Sequence, residues 1–300
     1  MASIDNLLER LQAIERAVDA LSEPAFKEVE IQDHLIRGVA VNGLVSVEVF
    51  LRDRMEEWVT SLMAARVPPS HLPGGTKQYE DRIVEVLPRA LRDCDATQRS
   101  NLLQAVGQSL TSLSTGTLVP HVLAFRWSGS NLKAEDIESI LALTGVDRNR
   151  AWNELTSRWS QIDRNFPGNT SLKAVFKELS DLRHDAAHQG TPNISLPNLT
   201  TVSRNARLVC ICVDILLWQG LKRILAGPSA PALSGQLRVR KIIRDGNLWR
   251  EYGPERNRAV RIHRSLAEAI RQAIIRATPQ SELVVALSED EELVDWRTPQ

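Results

Sequence analysis

Cysteine is too scarce here to staple a fold. Cys94, Cys210 and Cys212 are the only three in 300 residues, and the last two lie one residue apart inside an apolar run. A disulfide framework is excluded, Cys210 and Cys212 read as core thiols, and a reducing compartment fits best. An excess of one charge is also missing. Lysine plus arginine equals aspartate plus glutamate at 37 each, so no overall basic field announces nucleic acid, and any such binding has to come from a local patch. No stretch approaches the roughly 18 uninterrupted apolar residues that span a bilayer. The N-terminus carries Asp5, Glu9 and Glu15 among helical leucines, which is not the pattern of a signal peptide. The expectation is a cytoplasmic chain with no membrane association.

What is present suits a folded chain: 43% of residues are hydrophobic and 25% charged, enough for one large core and a small second one. From the start to about Gly227 the apolar residues recur at helical spacing. Leu7, Leu11, Ile14, Val18 and Leu21 make a first helix that stops before Pro24, and a long second helix runs from about Val29 to Val67 and ends at Pro68-Pro69. Two helices follow over Thr76 to Leu113 with a break near Asp95, then an irregular stretch from Leu118 to Asn131. Further helices are predicted over Lys133 to Leu143, Arg148 to Ile162, a segment capped by Asn169, Thr170 or Ser171, and about Thr200 to Leu225.

Composition shifts at Gly227-Pro228-Ser229-Ala230-Pro231-Ala232-Leu233-Ser234-Gly235, and the period changes from helix to strand after it. Leu237, Val239, Lys241 and Ile243 alternate, Asp245-Gly246 is a hairpin turn, and Leu248, Arg250 and Tyr252 continue beyond it. A strand at Ala259 to His263, a helix capped by Ser265, and a last pair of strands complete a β-β-β-α-β-β module. The expected organisation is a mainly α chain: a helical bundle over 1–226, a linker over 227–235 and a small α+β module over 236–300.

The segment that carries chemistry is Leu179-Ser180-Asp181-Leu182-Arg183-His184-Asp185-Ala186-Ala187-His188-Gln189-Gly190, at the end of an apolar-faced helix. It sets an arginine, a polar neighbour and, five positions after the arginine, a histidine. This resembles the R-x4-H signature of the HEPN superfamily, with Arg183 matching the family arginine, His184 its variable polar neighbour and His188 its histidine. More narrowly it resembles the RiboL-PSP-HEPN group, whose long second helix reads much like Arg37 to Arg52, and the stretch Asn131 to Val146 looks like that group as well. The resemblance covers about residues 1–226, and Gly43, inside a helix, departs from its usual pattern.

The resemblance implies a HEPN-like bundle and a metal-independent endoribonuclease with no cofactor, active as a homodimer on RNA. It also implies a toxin or antiphage-defence role with an antitoxin or other regulatory protein as partner. The residue types suit that chemistry. An imidazole takes and gives protons near neutral pH, so a histidine at 188 can take the proton of a ribose 2′-OH or give one to the leaving 5′-oxygen. A guanidinium at 183 offers a planar donor fork to phosphate as charge builds. The expected products of that route are a 2′,3′-cyclic phosphate and a 5′-hydroxyl. Arg183 and His188 project about 140° apart on a regular helix, so one copy makes a poor complete site. His184 and His188 share a face, and Glu48, Asp185 and Asp214 are candidate supporting residues.

Other readings of the same residues stay open. An arginine and two histidines near a helix C-terminus also suit its carbonyls and dipole. A HEPN-like dimer that binds without cleaving is a further alternative. His184-Asp185-Ala186-Ala187-His188 is also H-D-x-x-H, a relative of zinc-hydrolase motifs, for which Asp214 is the only nearby acid on an apolar helix. Asp214 reads equally as a partner for an arginine such as Arg183, and Glu48 either orients Arg183 or is solvated. In the C-terminal module Arg238, Arg240, Arg250, Arg258 and Arg261, with Trp249 and Tyr252, suggest an RNA platform. The alternative is a solvated charged surface, and His263 has no evident acid or base partner.

Overall fold

The structure, a computed structural model, describes residues 2–21, 23, 29–163, 170–189, 194–229, 236–256 and 258–299. Pro24, Pro167-Gly168, the cap candidate Asn169, Gly190 and residues 230–235 of the expected linker lie outside them. The described chain is mainly helical, with a small mixed sheet at its C-terminal end. Helix α1 (Ala2–Leu21) buries the stripe Leu7, Leu11, Ile14, Val18 and Leu21. Helix α2 spans Val29–Ala65, α3 Gly75–Arg92 and α4 Ala96–Ser112. The break before α4 falls where expected. There Asp95 accepts from Gln98 N at 2.8 Å while the Gln98 side chain accepts from Asp95 N at 3.1 Å, a reciprocal cap. The irregular stretch holds only a turn of 3₁₀ helix at Val122–Phe125. Helices α5 (Ala134–Ala142), α6 (Ala151–Ile162), α7 (Leu172–His188), α8 (Leu196–Thr200) and α9 (Val202–Ala226) follow. The short α8, with Pro197 in its first turn, has no counterpart in the periodicity.

Among the described residues α2 is the one helix long and apolar enough to cross a membrane, over Ile31–Ala65. Asp33, Arg37, Glu48 and Arg52 interrupt it. Val39, Leu44, Val47, Phe50, Leu51, Met55 and Leu62 are at most 3% exposed, which is how a core helix buries its apolar side chains.

The chain divides into two compact units, one of Met1–Phe50, Thr156–Ile215 and Gln236–Gln300, the other of Leu51–Leu155 and Leu216–Gly235. In the second, Trp58 Nε1 donates to Leu217 O at 3.0 Å, and its ring meets Phe125 edge-on at 4.7 Å. The first contains the sheet, in the order β3-β2-β1-β4-β5. Its strands are β1 (Val239–Asp245), β2 (Leu248–Tyr252), β3 (Arg261–His263), β4 (Leu283–Leu287) and β5 (Leu293–Arg297), with α10 (Leu266–Ala277) between β3 and β4. Pairing is antiparallel except for β1 with β4. Gly246 turns the first hairpin with φ +58°, in the left-handed region that favours glycine.

Alternation assigns the two faces of the sheet. Ile242, Val284 and Ala286 meet Ala269, Ile270, Ala273 and Ala277 of α10. All five residues of β4 are buried, so the other face is covered as well. That cover comes from helices of the same unit. Trp296 is fully buried, lies edge-on to Phe50 of α2 at 6.0 Å, and donates from Nε1 to Asp214 Oδ2 of α9 at 2.9 Å. Lys241 Nζ donates to Ile162 O at 2.8 Å, and Leu237 N to Gln161 Oε1 at 2.8 Å.

Beside Trp296, burial pushes the Asp295 carboxyl up to about 6, against the opposing pull of Arg297. Its Oδ1 is buried without a hydrogen-bond partner among the described residues. A raised acid favours folding in its protonated form. Its contribution is complete below the unfolded carboxyl value and is lost as pH rises through about 6. Between pH 4 and 7 the protein should lose up to about 3 kcal/mol that Asp295→Asn keeps. Urea unfolding at the two pH values checks this, and parallel curves for the two proteins would contradict it.

Candidate active site

Helix α7 is built locally. Ser171 caps it by accepting from Ala174 N at 3.2 Å, and Leu172, Val175, Phe176, Leu179 and Ala186 form its buried face at spacings of three, four and seven. Gly43 explains its own presence in α2. A Cβ there would stand 2.4 Å from Val202 Cγ1 and 3.5 Å from Leu179 Cδ2, so α2 approaches α7 and α9 to a distance that only glycine permits. Helix propensity alone favours alanine at 43 by about 1 kcal/mol. Overpacking against the fully buried Val202 reverses the sign, and Gly43→Ala should destabilise by about 1–3 kcal/mol. Adding Val202→Ala should return part of that loss in a double-mutant cycle, and no coupling between the two sites would count against the close approach.

The C-terminal end of α7 is held by a residue that sequence reasoning did not single out. Arg37 Nη1 donates to Ala186 O at 3.1 Å and to Gln189 O at 2.8 Å, while its Nε is tied to Asp33 Oδ2 at 2.7 Å. A cation at this position suits both the terminal carbonyls and the dipole. The only advance signal was the basic residue at the head of the Arg37 to Arg52 stretch.

This cap does not involve the three motif side chains. Arg183 is half-buried, and among the described residues it donates no hydrogen bond and pairs with no carboxylate; its Nε is buried without a partner. His184 and His188 are exposed, with ring centroids 4.9 Å apart. Neither imidazole makes a hydrogen bond or ion pair among the described residues. The neighbouring Asp185 accepts from Gln189 Nε2 at 2.6 Å, so it does not clamp either histidine. A guanidinium with no acid partner among the described residues can bind an anion, and solvent-facing imidazoles can exchange protons with one.

Family models, curated proteins and solved structures offer no match to the chain.

The supporting candidates separate. Glu48 is half-buried on α2 and engaged with other groups. Asp214 is fully buried, and its Oδ2 receives Trp296 Nε1 and lies 3.5 Å from Thr298 Oγ1, so this acid seats the sheet. Among the described residues no three His, Cys, Asp or Glu side chains gather as a metal site. Burial pushes the Cys210 and Cys212 thiols up, as suits inert core thiols.

The expected arginine platform is divided. Arg240 is 7% exposed and shared between two fully buried carboxylates, Glu251 at 2.9 Å and Glu282 at 2.7 Å. It is an internal counter-ion and does not face solvent. Arg238 is exposed and bonds Gln280 and Glu282, and Arg250 pairs with Asp245. Arg258 and Arg261 are exposed and have no hydrogen bond or ion pair among the described residues. His263 does have a partner, Glu251 Oε2 at 3.0 Å from its Nε2. Arg276 completes the set by pairing with Glu251.

Proposed function

We propose that this chain is a HEPN-like, metal-independent endoribonuclease that acts as a dimer in the cytoplasm. The observation that carries the reading is the division of labour at the end of α7. Arg37 bonds the carbonyls of Ala186 and Gln189, while Arg183, His184 and His188, on the same short segment, make no hydrogen bond or ion pair among the described residues. In this mechanism an imidazole removes the 2′-OH proton as O2′ bonds to phosphorus, and the P–O5′ bond breaks as the leaving oxygen gains a proton from an imidazolium. Arg183 stabilises the charge on the phosphoryl oxygens at that point. Because Arg183 and His188 diverge by about 140° around α7, two copies of the helix would supply one complete set to a shared cleft. Arg258, just before β3, and Arg261 at the start of β3 are the residues of this module best placed to hold RNA phosphates.

The test is incubation of purified protein with cellular RNA in EDTA, followed by end-group analysis. Fragments with 2′,3′-cyclic phosphate and 5′-hydroxyl ends are expected. No cleavage with or without divalent ions leaves a non-catalytic binding module, and peptide hydrolysis that needs zinc favours the H-D-x-x-H alternative. Uncontrolled cleavage of this kind would be toxic, which accords with a toxin or defence role held in check by a protein partner. Expression in a bacterium should then slow growth, and equal growth with His188→Ala would remove that role.

A further inference from the structure

The second compact unit contains a cationic pocket that the α7 chemistry does not use. Its volume is about 220 Å³, and its lining includes Arg52 of α2, Arg89 of α3, Asp93 just beyond α3, and Arg126 and Trp127 of the irregular segment. Each arginine is fixed, yet their charges are poorly compensated. The Arg52 guanidinium lies 5.9 Å from the centre of the Trp127 ring, a cation–π geometry, and has no carboxylate partner among the described residues. Arg89 Nη1 donates to Ser128 O at 2.7 Å and likewise pairs with no acid among them. Arg126 Nη2 meets Glu56 at 3.0 Å, but its Nε is buried with no hydrogen-bond partner among the described residues. Arg82 Nη2 holds the Arg126 carbonyl at 2.7 Å and so fixes that backbone.

Gathering these cations costs free energy. Burial first, and then the positive charge of Arg52, pull the Arg126 guanidinium below its usual range. The nearby acids are Glu56, already engaged with Arg126, and Asp93, which is exposed. An anion that accepts from several guanidiniums at once offsets the repulsion. A carboxylate offers one planar edge and fills one fork, whereas a tetrahedral anion presents oxygens in several directions. Size narrows the choice further, because the pocket is smaller than the roughly 300–1,000 Å³ of sites that engulf an organic ligand. It admits a phosphoryl group and leaves the rest of a ligand outside.

We propose that this pocket binds a phosphoryl group through Arg52, Arg89 and Arg126. The group belongs either to a free phosphate or to the backbone of an RNA strand, and the two sources present the same chemistry. The assignment is independent of the nuclease reading. Its test uses the full-length protein carrying His188→Ala, so that no RNA is cut during the measurement.

Inorganic phosphate is titrated by calorimetry, and a short single-stranded RNA without terminal phosphates by fluorescence anisotropy. Arg52→Gln changes an exposed side chain and leaves the fold intact; Arg52→Gln combined with Arg89→Gln removes two of the three forks. Each lost charged hydrogen bond should weaken binding about tenfold or more. Loss confined to inorganic phosphate identifies a free-phosphate site. Loss confined to RNA, with a shallower dependence of affinity on salt, identifies a backbone site. If neither probe binds the parent protein, or if Arg52→Gln and the double variant both bind as the parent does, the proposal is overturned.

Discussion

His188→Ala should reduce RNA cleavage by about 10²–10⁴-fold, the usual worth of a positioned acid or base, while leaving the unfolding curve unchanged. The imidazole is exposed and holds no hydrogen bond among the described residues, so its removal takes little from the fold. Arg183→Ala should cost about 10²–10³-fold, as loss of a donor to transition-state charge does. Lysine at 183 should restore only part of that, because it keeps the charge and lacks the fork. Rates measured with saturating RNA in EDTA separate these cases. A His188→Ala protein that cleaves at the parental rate would remove the histidine from the mechanism.

The second large effect concerns stability. Glu251→Gln should destabilise the protein by about 3–5 kcal/mol, the cost of stripping the partner from buried charge. Glu251 is fully buried and receives Arg240, Arg276 and His263 together. Burial would raise its carboxyl, but the bonds from Arg276, His263 and Arg240 outweigh burial and hold it below the usual value. An acid lowered in this way stabilises the fold above its unfolded value and loses that contribution as pH falls through the lowered one. The parent should therefore weaken on acidification more steeply than Glu251→Gln, which has no carboxylate to protonate. Equal acid sensitivity, or a loss below about 1 kcal/mol at neutral pH, the range of an exposed pair, would show that the network contributes little.

Deletion of the sheet is a poor probe of RNA contact. Removing the chain from Gly227 onward would uncover Phe50 and Asp214, which Trp296 covers. Single substitutions at Arg258 and Arg261 test RNA contact without that damage.

Local pattern was enough for most of the helices and for the strand and helix order of the module, but not for the short α8. The stripe of α7, its Ser171 cap and the turn at Asp245-Gly246 all follow from residues within one or two turns of each other. What the pattern could not reach were contacts between distant segments. Arg37 caps a helix 149 positions later in the chain, and Asp214 bonds Trp296 from 82 positions away. Alternation told which face of β1 carries Arg240, but a charged residue on a strand ordinarily faces water, and nothing nearby indicated that α10 and two glutamates cover it. Gly43 shows the same limit. Its cost in a helix was plain, while its reason, the approach of Val202 and Leu179, lies in other helices.

Cleavage at the end of α7 should need two copies of the chain. The cleavage rate per chain in EDTA, followed across a dilution series with molar mass read by light scattering on the same samples, tests this. The rate per chain should fall in step with the dimer fraction and vanish for the monomer. A rate per chain that stays constant while the protein is monomeric would contradict it.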